Sequence, residues 1–431
     1  MNNTPILIIL AGGASSRMWP LKEKSLIKFG QDPLLLTQLH RYESLGFTDA
    51  IIVGNPQNID DMHAIAQKSA LNVQVAVQEN PIGMGDAILQ AAEKMQDRND
   101  SAIYITQVHD VTELALHENM LVKFRNSPDA TYLAGVEMEA YFPGGYLIVG
   151  ENEQITGIIE KPGADNRPSK FVSIVAHIHA NAGRLFEEIQ KLYDAKIDSD
   201  DHYERAMDLL MKESPYYLVG YSGRWDALKY PWHVLDIMEA FLNQIEGQTV
   251  ASDAFISDKA SVIGNVIIES GAKIFPGAAV VGPAYIGKNT IVGNNALVRN
   301  SMVLNNCEVG YTTEVARSYV ADGVGMHACR VLDSIFAENV NFSAGCTTAN
   351  LRIDKGIVKT TVKGNRMETG RDKFGTVIGE NSFLSVDVMT MPGVKIGSNA
   401  VVGPGTHVHK DLADKARIFV KQEQIVIEAD D

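Results

Sequence analysis

Aliphatic side chains recur every six residues through the second half of this chain. Ile256, Val262, Ile268, Ile274, Val280, Ile286, Val292, Val298 and Leu304 follow one another at that spacing, which returns at Ile378, Leu384, Thr390, Ile396, Val402 and Val408. A small side chain comes four residues after most of the first set: Ala260, Ala272, Ala278, Ala284, Thr290 and Ala296. This period fits neither a helix nor the alternation of one strand. It suits a short strand and a turn, repeated, with one aliphatic per repeat facing a shared core, so that each repeat is stable only when stacked on its neighbours.

The first half has a different rhythm. Short apolar runs at Ile6–Leu10 and at residues 50–53, 73–77 and 101–106 alternate with helix-like spacing at 34–45 and 86–95. Interleaved strands and helices predict a mainly parallel sheet covered on both faces. A closing amphipathic helix is predicted over 230–245, with Val234, Met238, Phe241, Leu242 and Ile245 on one side. The expected division is an α/β domain over 1–248 and an all-β repeat domain over 252–431, with the polar stretch 247–252 between them.

With 431 residues the chain is long enough for two or three domains with substantial cores. Its net charge of −15 argues against nucleic acid or an anionic membrane as partner. The three cysteines, Cys307, Cys329 and Cys346, form no CxxC pair and indicate neither a zinc knuckle nor a disulfide framework. No signal-like or membrane-spanning run is present, so a soluble, cytoplasmic protein is expected. Residues 351–374 abandon the repeat and carry seven cations against three carboxylates. That segment is either a solvated hairpin or an anion-binding arm.

The strand Ile6–Leu10 runs into Ala11-Gly12-Gly13-Ala14-Ser15-Ser16-Arg17, which places small residues where a backbone must approach phosphates. The whole run LAGGASSRMWPLKEKSLIKF resembles the LAGGxGxRxxPL…PK signature of sugar-1-phosphate nucleotidyltransferases. Further matches follow in order: VQENPIGMGDAI, the end of SAIYITQVHD, PGGY, Glu160-Lys161-Pro162, and Trp225-Asp226 followed by Tyr230-Pro231-Trp232. The resemblance implies a Rossmann-like fold and a set of roles. Leu10, Ala11, Gly12, Gly13, Gln78 and Gly83 would bind the nucleotide, and Arg17 and Lys24 would stabilise the transferring phosphates. Gly145, Glu160 and Lys161 would bind the sugar phosphate, and Asp110 and Asp226 would hold Mg²⁺ through hard oxygen ligands. Such chemistry needs positioning and charge neutralisation more than a protein nucleophile.

Several positions depart from that pattern. Ser15 and Ser16 replace a Gly-Thr pair. Arg17 and Lys24 stand close together, and Ser25 follows Lys24 in place of proline, which makes Lys22 an alternative phosphate ligand. His109 takes the place of the glycine before the metal aspartate, and residues 172–182 lack the sugar-reading Asn-Ala-Gly run. Trp19 is similar to the residue found in mannose-1-phosphate guanylyltransferases, which keeps GTP among the candidate nucleotides.

The repeats resemble the left-handed parallel β-helix of hexapeptide-repeat acyltransferases. Residues 326–405, including NFSAGCTTAN and the PGVKIG block, resemble bifunctional enzymes that join sugar-1-phosphate nucleotidyl transfer to amino-sugar-1-phosphate acetyl transfer. The resemblance implies that His327 is the general base for attack on acetyl-CoA, with Asn350 and Lys359 contacting substrate. Arg330 and Leu332 replace that family's tyrosine and glycine. A homotrimer is expected on the same ground. Three readings stand: a bifunctional enzyme making an acylated UDP-sugar (UDP-N-acetylglucosamine by default); a nucleotidyltransferase alone, using GTP with mannose 1-phosphate or dTTP with glucose 1-phosphate, on a trimerising coil; and a non-catalytic regulatory subunit that binds sugar nucleotide.

Overall fold

The computed structural model describes residues 4–95, 98–197 and 199–427. Packing divides the chain into two units. Of the described residues, the first unit holds those through Ala14, Ser25–Ile27 and those from Asp32 to Ala227; the second holds Ser15–Lys24, Lys28–Gln31 and those from Leu228 onward.

The first unit is built on strands β1 (Ile6–Leu10), β2 (Asp49–Gly54), β3 (Asn72–Val77), β4 (Ile103–Gln107), β5 (Asp110–Thr112), β6 (Thr131–Glu137), β7 (Gly145–Val149), β8 (Ile155–Glu160), β9 (Phe171–His179), β10 (Tyr216–Tyr221) and β11 (Trp225–Ala227). Its helices are α1 (Leu34–Ser44), α2 (Ile59–Ala66), α3 (Met84–Met95), α4 (Leu114–Asn126), α5 (Ala182–Asp194) and α6 (His202–Leu210). The main sheet runs β10-β6-β9-β4-β1-β2-β3. Pairs β1–β2, β1–β4, β2–β3 and β6–β10 are parallel, and β9 lies antiparallel between β4 and β6. All five residues of β1 are buried, because alternate side chains meet helices on opposite faces. Ile6, Ile8 and Leu10 join a core with Ala87, Ile88, Leu185, Tyr203 and Met207 of α3, α5 and α6. On the other face Tyr104 packs against Tyr42 of α1 and His117 of α4. The predicted strands and the two-sided cover are therefore present, and the antiparallel part of the sheet is β9 with the β7–β8 pair beside it.

The second unit opens on the loop Ser15–Lys24 and contains α7 (His233–Leu242), upstream of the polar stretch at 247–252. From Gln248 onward the chain forms three parallel sheets of eight, nine and eight short strands, visited in rotation. Each strand pairs with the strand one full turn later, so like residues stack: Ile268 on Ile286, Ile274 on Val292, Val280 on Val298. One continuous core runs from Val266 to Val408. Asparagines at corner positions such as Asn289 and Asn295 take positive φ. Above them glycine is required: a Cβ on Gly277 would stand 2.1 Å from Asn295 Oδ1.

The strict six-residue count fails at Leu304. Ile286 pairs with Val303, and Val303 with Val320, which are steps of 17 residues against 18 from Ile268 to Ile286. One corner is a residue shorter, so Val303 takes the inward place; Leu304 is buried, but outside that core. The pattern is interrupted a second time after Thr348. Phe336 pairs with Ile378, a 42-residue step that accommodates 24 extra residues without breaking the stack. Part of the insertion is an antiparallel hairpin, Lys359–Val362 with Asn365–Glu368. Three of its seven cations form ion pairs: Arg352 with Asp354, Lys359 with Glu368, and Arg371 with Asp236 of α7.

The loop of the second unit is tied down along its length. Phe29 stacks on Phe241 of α7 at 5.2 Å and leans on Tyr319 at 5.9 Å. Tyr319 Oη donates to the Lys28 carbonyl at 2.9 Å, and Lys28 pairs with Asp322. Trp19 Nε1 donates to Asp414 Oδ1 at 3.0 Å.

Core continuity makes a direct prediction. Phe342 is fully buried and packs edge-on against Phe336 at 5.0 Å. Phe342→Ala should lower unfolding stability by about 3–5 kcal/mol in urea denaturation.

Candidate functional site

The parallel strands β1 to β4 end at one edge of the first unit's sheet, where ligands of open α/β sheets bind. There β1 carries the chain from Leu10 into Ala11, Gly12 and Gly13. Ala11 N–H donates to the Val53 carbonyl at 2.8 Å, while the amides of Asn58 and Asn55 hold the carbonyls of Ala11 and Gly12, each at 3.0 Å. A Cβ on Gly12 would lie 2.7 Å from Gln78 Oε1 and 3.1 Å from the Gly54 carbonyl. Only glycine lets the loop lie this close to the ends of β2 and β3. Gln78 is buried, and its Nε2 donates to the Gly83 carbonyl at 3.0 Å and to Asp86 Oδ2 at 2.9 Å. Gly83 has φ +127°, and a Cβ there would meet the Asp200 carbonyl at 2.8 Å. Gly12, Gln78 and Gly83 are thus neighbours at this edge. Asn55 and Asn58 were not foreseen, although the Asn-x-x-Asn spacing after β2 is their signal.

Asp110 begins β5, just beyond the end of β4, with His109 in the turn before it. Three side chains hold β5 in place. Gln38 Nε2 donates to the Asp110 carbonyl at 3.2 Å, Arg41 to the Thr112 carbonyl, and His117 bridges Tyr104 Oη at 2.6 Å and Thr112 Oγ1 at 3.0 Å. Burial pushes the His117 pKa down to about 3, so this bridge is made by a neutral ring. The Asp110 carboxylate is buried and accepts a hydrogen bond from Trp225 Nε1 at 3.1 Å.

β5 pairs antiparallel with β11 in the register Trp225–Thr112, Asp226–Val111 and Ala227–Asp110. Side chains alternate faces along a strand, so Asp110, Thr112, Trp225 and Ala227 share one face and Asp226 takes the other. The residue directly across from Asp110 is Ala227, and Asp226 forms an ion pair with Arg224. The ladder therefore does not bring the two implied metal carboxylates onto one face. Among the described residues, no three His, Cys, Asp or Glu side chains converge as a metal site.

Gly145 and Glu160 face each other across β7 and β8. They lie beyond the end of β4, because β9 pairs with β4 at Ala176–Thr106 and then with β7 at Val172–Tyr146. A Cβ on Gly145 would stand 3.2 Å from Glu160 Oε2, so the glycine makes room for that carboxylate. Lys161 takes φ +45° and pairs with Glu160 at 3.0 Å. In the first turn of α6, Glu204 is buried; burial first, and the Glu160 charge second, push its pKa up to about 8. Nothing in the local sequence marked Glu204, whose environment is created by the packing of α6.

The remaining implied residues belong to the second unit. Arg17 is exposed, with its guanidinium 5.9 Å from the centre of the Tyr230 ring. Lys24 opens a 3-10 turn, Lys24–Leu26, and its N–H donates to Ser15 Oγ at 3.4 Å. Lys22, the alternative ligand, pairs with Glu380. His327 is exposed at a corner of the coil, and its N–H donates to the Phe342 carbonyl at 3.1 Å. Asn350 donates to Asp333, a buried carboxylate also held by Arg317 through two bonds of 2.7 Å. Lys359 pairs with Glu368 across the hairpin at 3.1 Å.

The raised pKa of Glu204 has a consequence for stability. A carboxyl with a folded pKa near 8, above its ordinary 4.5, contributes stability that is complete below the ordinary value and lost as pH rises through 8. Urea unfolding of Glu204→Gln at about pH 6 and about pH 9 should show a smaller loss than the wild type, by at most a few kcal/mol.

The first unit and the repeats both match known families. Residues 6–226 match the family described as Nucleotidyl transferase, residues 262–365 the GMPPB C-terminal domain, and residues 375–410 the bacterial transferase hexapeptide of six repeats. A relative from Methanococcus vannielii named bifunctional protein GlmU is 29% identical over 97% of this chain and 98% of its own length. A bifunctional sugar-1-phosphate nucleotidylyltransferase/acetyltransferase from Sulfurisphaera tokodaii is 29% identical over 94% and 97%. A solved UDP-glucose pyrophosphorylase with UDP-glucose is 15% identical, covers 56% of this chain and 99% of its own, and has a TM-score of 0.48. No helix among the described residues is long and apolar enough to cross a membrane. With its family match spanning half the sequence and carrying the glycine loop and the Asp110 ladder, the chain belongs to the nucleotidyl transferase family.

Proposed function

We propose that this enzyme transfers a nucleotidyl group from an NTP to a sugar 1-phosphate and releases pyrophosphate, with UTP and N-acetylglucosamine 1-phosphate as the default pair. The observation that carries this reading lies within the first unit. The Gly12–Gln78–Gly83 cradle, the buried Asp110 carboxylate and the Gly145–Glu160 pair all stand at the sheet edge where β1 to β4 end. In the reaction a phosphate oxygen of the sugar 1-phosphate attacks the α-phosphorus in line, and the bond from that phosphorus to the bridging oxygen breaks. Backbone N–H groups of the glycine loop receive the nucleotide phosphates. Arg17 and Lys24 neutralise charge on the leaving pyrophosphate. Gln78 orients the base, Glu160 the sugar hydroxyls, and Lys161 the sugar phosphate.

Asp110 fits a magnesium ion. It is a hard oxygen ligand, buried and fixed through its backbone, and magnesium is commonly held by one or two carboxylates together with substrate phosphates and water. Bound there, magnesium would supply Lewis-acid stabilisation of phosphate charge. Asp226, on the reverse face beside Arg224, fits an indirect part better than direct ligation.

For the second unit we propose a left-handed coil that assembles as a homotrimer and transfers an acetyl group from acetyl-CoA to an amino-sugar 1-phosphate. His327 would act as the base, and Asn350 and Lys359 as substrate contacts. Support comes from the exposed corner position of His327 and from the similarity to the Sulfurisphaera tokodaii nucleotidylyltransferase/acetyltransferase. A second reading, a nucleotidyltransferase of the mannose type whose coil only assembles the protein, is favoured by the GMPPB C-terminal match.

Three measurements test these assignments. Asp110→Ala should slow magnesium-dependent pyrophosphate release by about 10²–10³-fold, and Asp226→Asn by roughly 10-fold or less; equal losses would restore Asp226 as a ligand. Across NTP and sugar-1-phosphate pairs, UTP with N-acetylglucosamine 1-phosphate should turn over fastest, whereas a preference for GTP with mannose 1-phosphate supports the second reading. Acetyl-CoA turnover with glucosamine 1-phosphate should vanish in His327→Ala, and a wild type without turnover leaves the coil an assembly module.

A further inference from the structure

The second unit forms an open cavity of about 440 Å³ that the chemistry above touches only at Arg17. Ser16, Arg17 and Trp19 of the loop form one wall. Thr361, Val362, Lys363 and Gly364 at the hairpin tip form another, and Lys395, Asp411 and Ala413 of the last turns close it. This volume suits a small metabolite.

The charges around it are uneven, with Arg17, Lys363 and Lys395 facing a single carboxylate, Asp411. Asp411 is already engaged, accepting from the Lys395 N–H at 2.9 Å and from the Thr361 hydroxyl. Lys395 is the unusual member. It is only 3% exposed, and its ammonium sits 4.6 Å from the centre of the Trp19 ring and donates to the Trp19 carbonyl at 3.3 Å. An ammonium has three N–H donors, so a carbonyl and an aromatic face do not exhaust it. A buried cation lining a cavity is stabilised by an anion that enters it. Burial also lowers the pKa of Lys395, and the Asp411 charge offsets this only in part. At the mouth, Lys363 takes φ +49° at the tip of the hairpin and is exposed.

We propose that this cavity binds a small phosphate monoester, received by Lys395, Lys363 and Arg17, and that occupancy inhibits nucleotidyl transfer. The inhibitory part rests on the role assigned to Arg17 above. A phosphate in the cavity engages the same guanidinium that otherwise neutralises the nucleotide phosphates, so the two ligands compete for one cation. Linkage requires the reverse as well: NTP weakens phosphate-monoester binding by the same factor.

The test uses the full chain and glycerol 3-phosphate as probe, with glycerol as the uncharged control, followed by titration calorimetry and Trp19-dependent fluorescence. Saturable binding is expected for the phosphate and none for glycerol. Lys363→Ala and Lys395→Met should each weaken it by about 10-fold or more, the loss of one charge-assisted contact, while Asp110→Ala and Glu160→Gln keep it. Lys363 lies on an exposed hairpin tip, so its variant remains informative if Lys395→Met fails to fold. Glycerol 3-phosphate should also inhibit pyrophosphate release, and Lys363→Ala should relieve that inhibition with its basal rate unchanged. Absence of saturable binding at about 10 mM, or binding that survives both lysine variants but is lost in Glu160→Gln, overturns the site. A chain that binds the probe as expected yet releases no pyrophosphate from any NTP upholds the site and rejects the catalytic reading instead.

Discussion

The coil is governed by the requirement that each inward side chain stack on its counterpart one turn later. Ile268, Ile286, Val303, Val320, Phe336, Ile378 and Ile396 form one such column, with backbone pairing between every neighbouring strand. Such columns form the continuous core of the coil, and each fully buried aliphatic in them is worth about 1.5–3 kcal/mol. Because contacts are made only to the turns above and below, a turn can lose a corner residue or extrude 24 residues without disturbing the others. That tolerance allows the coil to carry the hairpin at 359–368, the exposed corner of His327 and the anchorage for a loop from far upstream.

That loop joins two parts of the chain that are distant in sequence. Gly12 is fixed within the first unit by Gly54, Asn55 and Gln78, whereas Ser15–Lys24 packs with the coil through Trp19, Lys22 and Lys395. The run read as one phosphate-binding signature is thus divided between two packing environments. Its glycines need close backbone approach, which a sheet edge provides. Its cationic and aromatic residues need carboxylates and ring faces, which Asp414, Glu380 and Tyr230 provide.

Much of the fold was legible because it rests on repetition. Four strands, the covered sheet and all six inward positions of the second repeat block follow from apolar spacing, and the structure pairs Ile378 with Ile396, Leu384 with Val402 and Thr390 with Val408. The slip at Leu304 was not legible, since Val303 and Leu304 are both aliphatic and only corner length decides which faces inward. The site was legible in part, through the resemblance that singled out Gly12, Gly83 and Gly145, where a Cβ would stand 2.7 Å from Gln78 Oε1, 2.8 Å from the Asp200 carbonyl and 3.2 Å from Glu160 Oε2. It was not legible where register matters. Asp226 follows Trp225 as a motif would have it, but one position along a ladder reverses the face.

By itself, the sequence determined the repeat, the glycine-lined strand ends and the order of the motifs, because these depend on period and on side-chain size. Tertiary structure decided what no local pattern encodes. It set Ala227 rather than Asp226 across from Asp110, gave the loop cations their partners on the coil, and placed Glu204 beside Glu160 and Lys395 beneath Trp19. Charge placement of this kind depends on which residues share a face or a cavity, and distance along the chain carries no information about that.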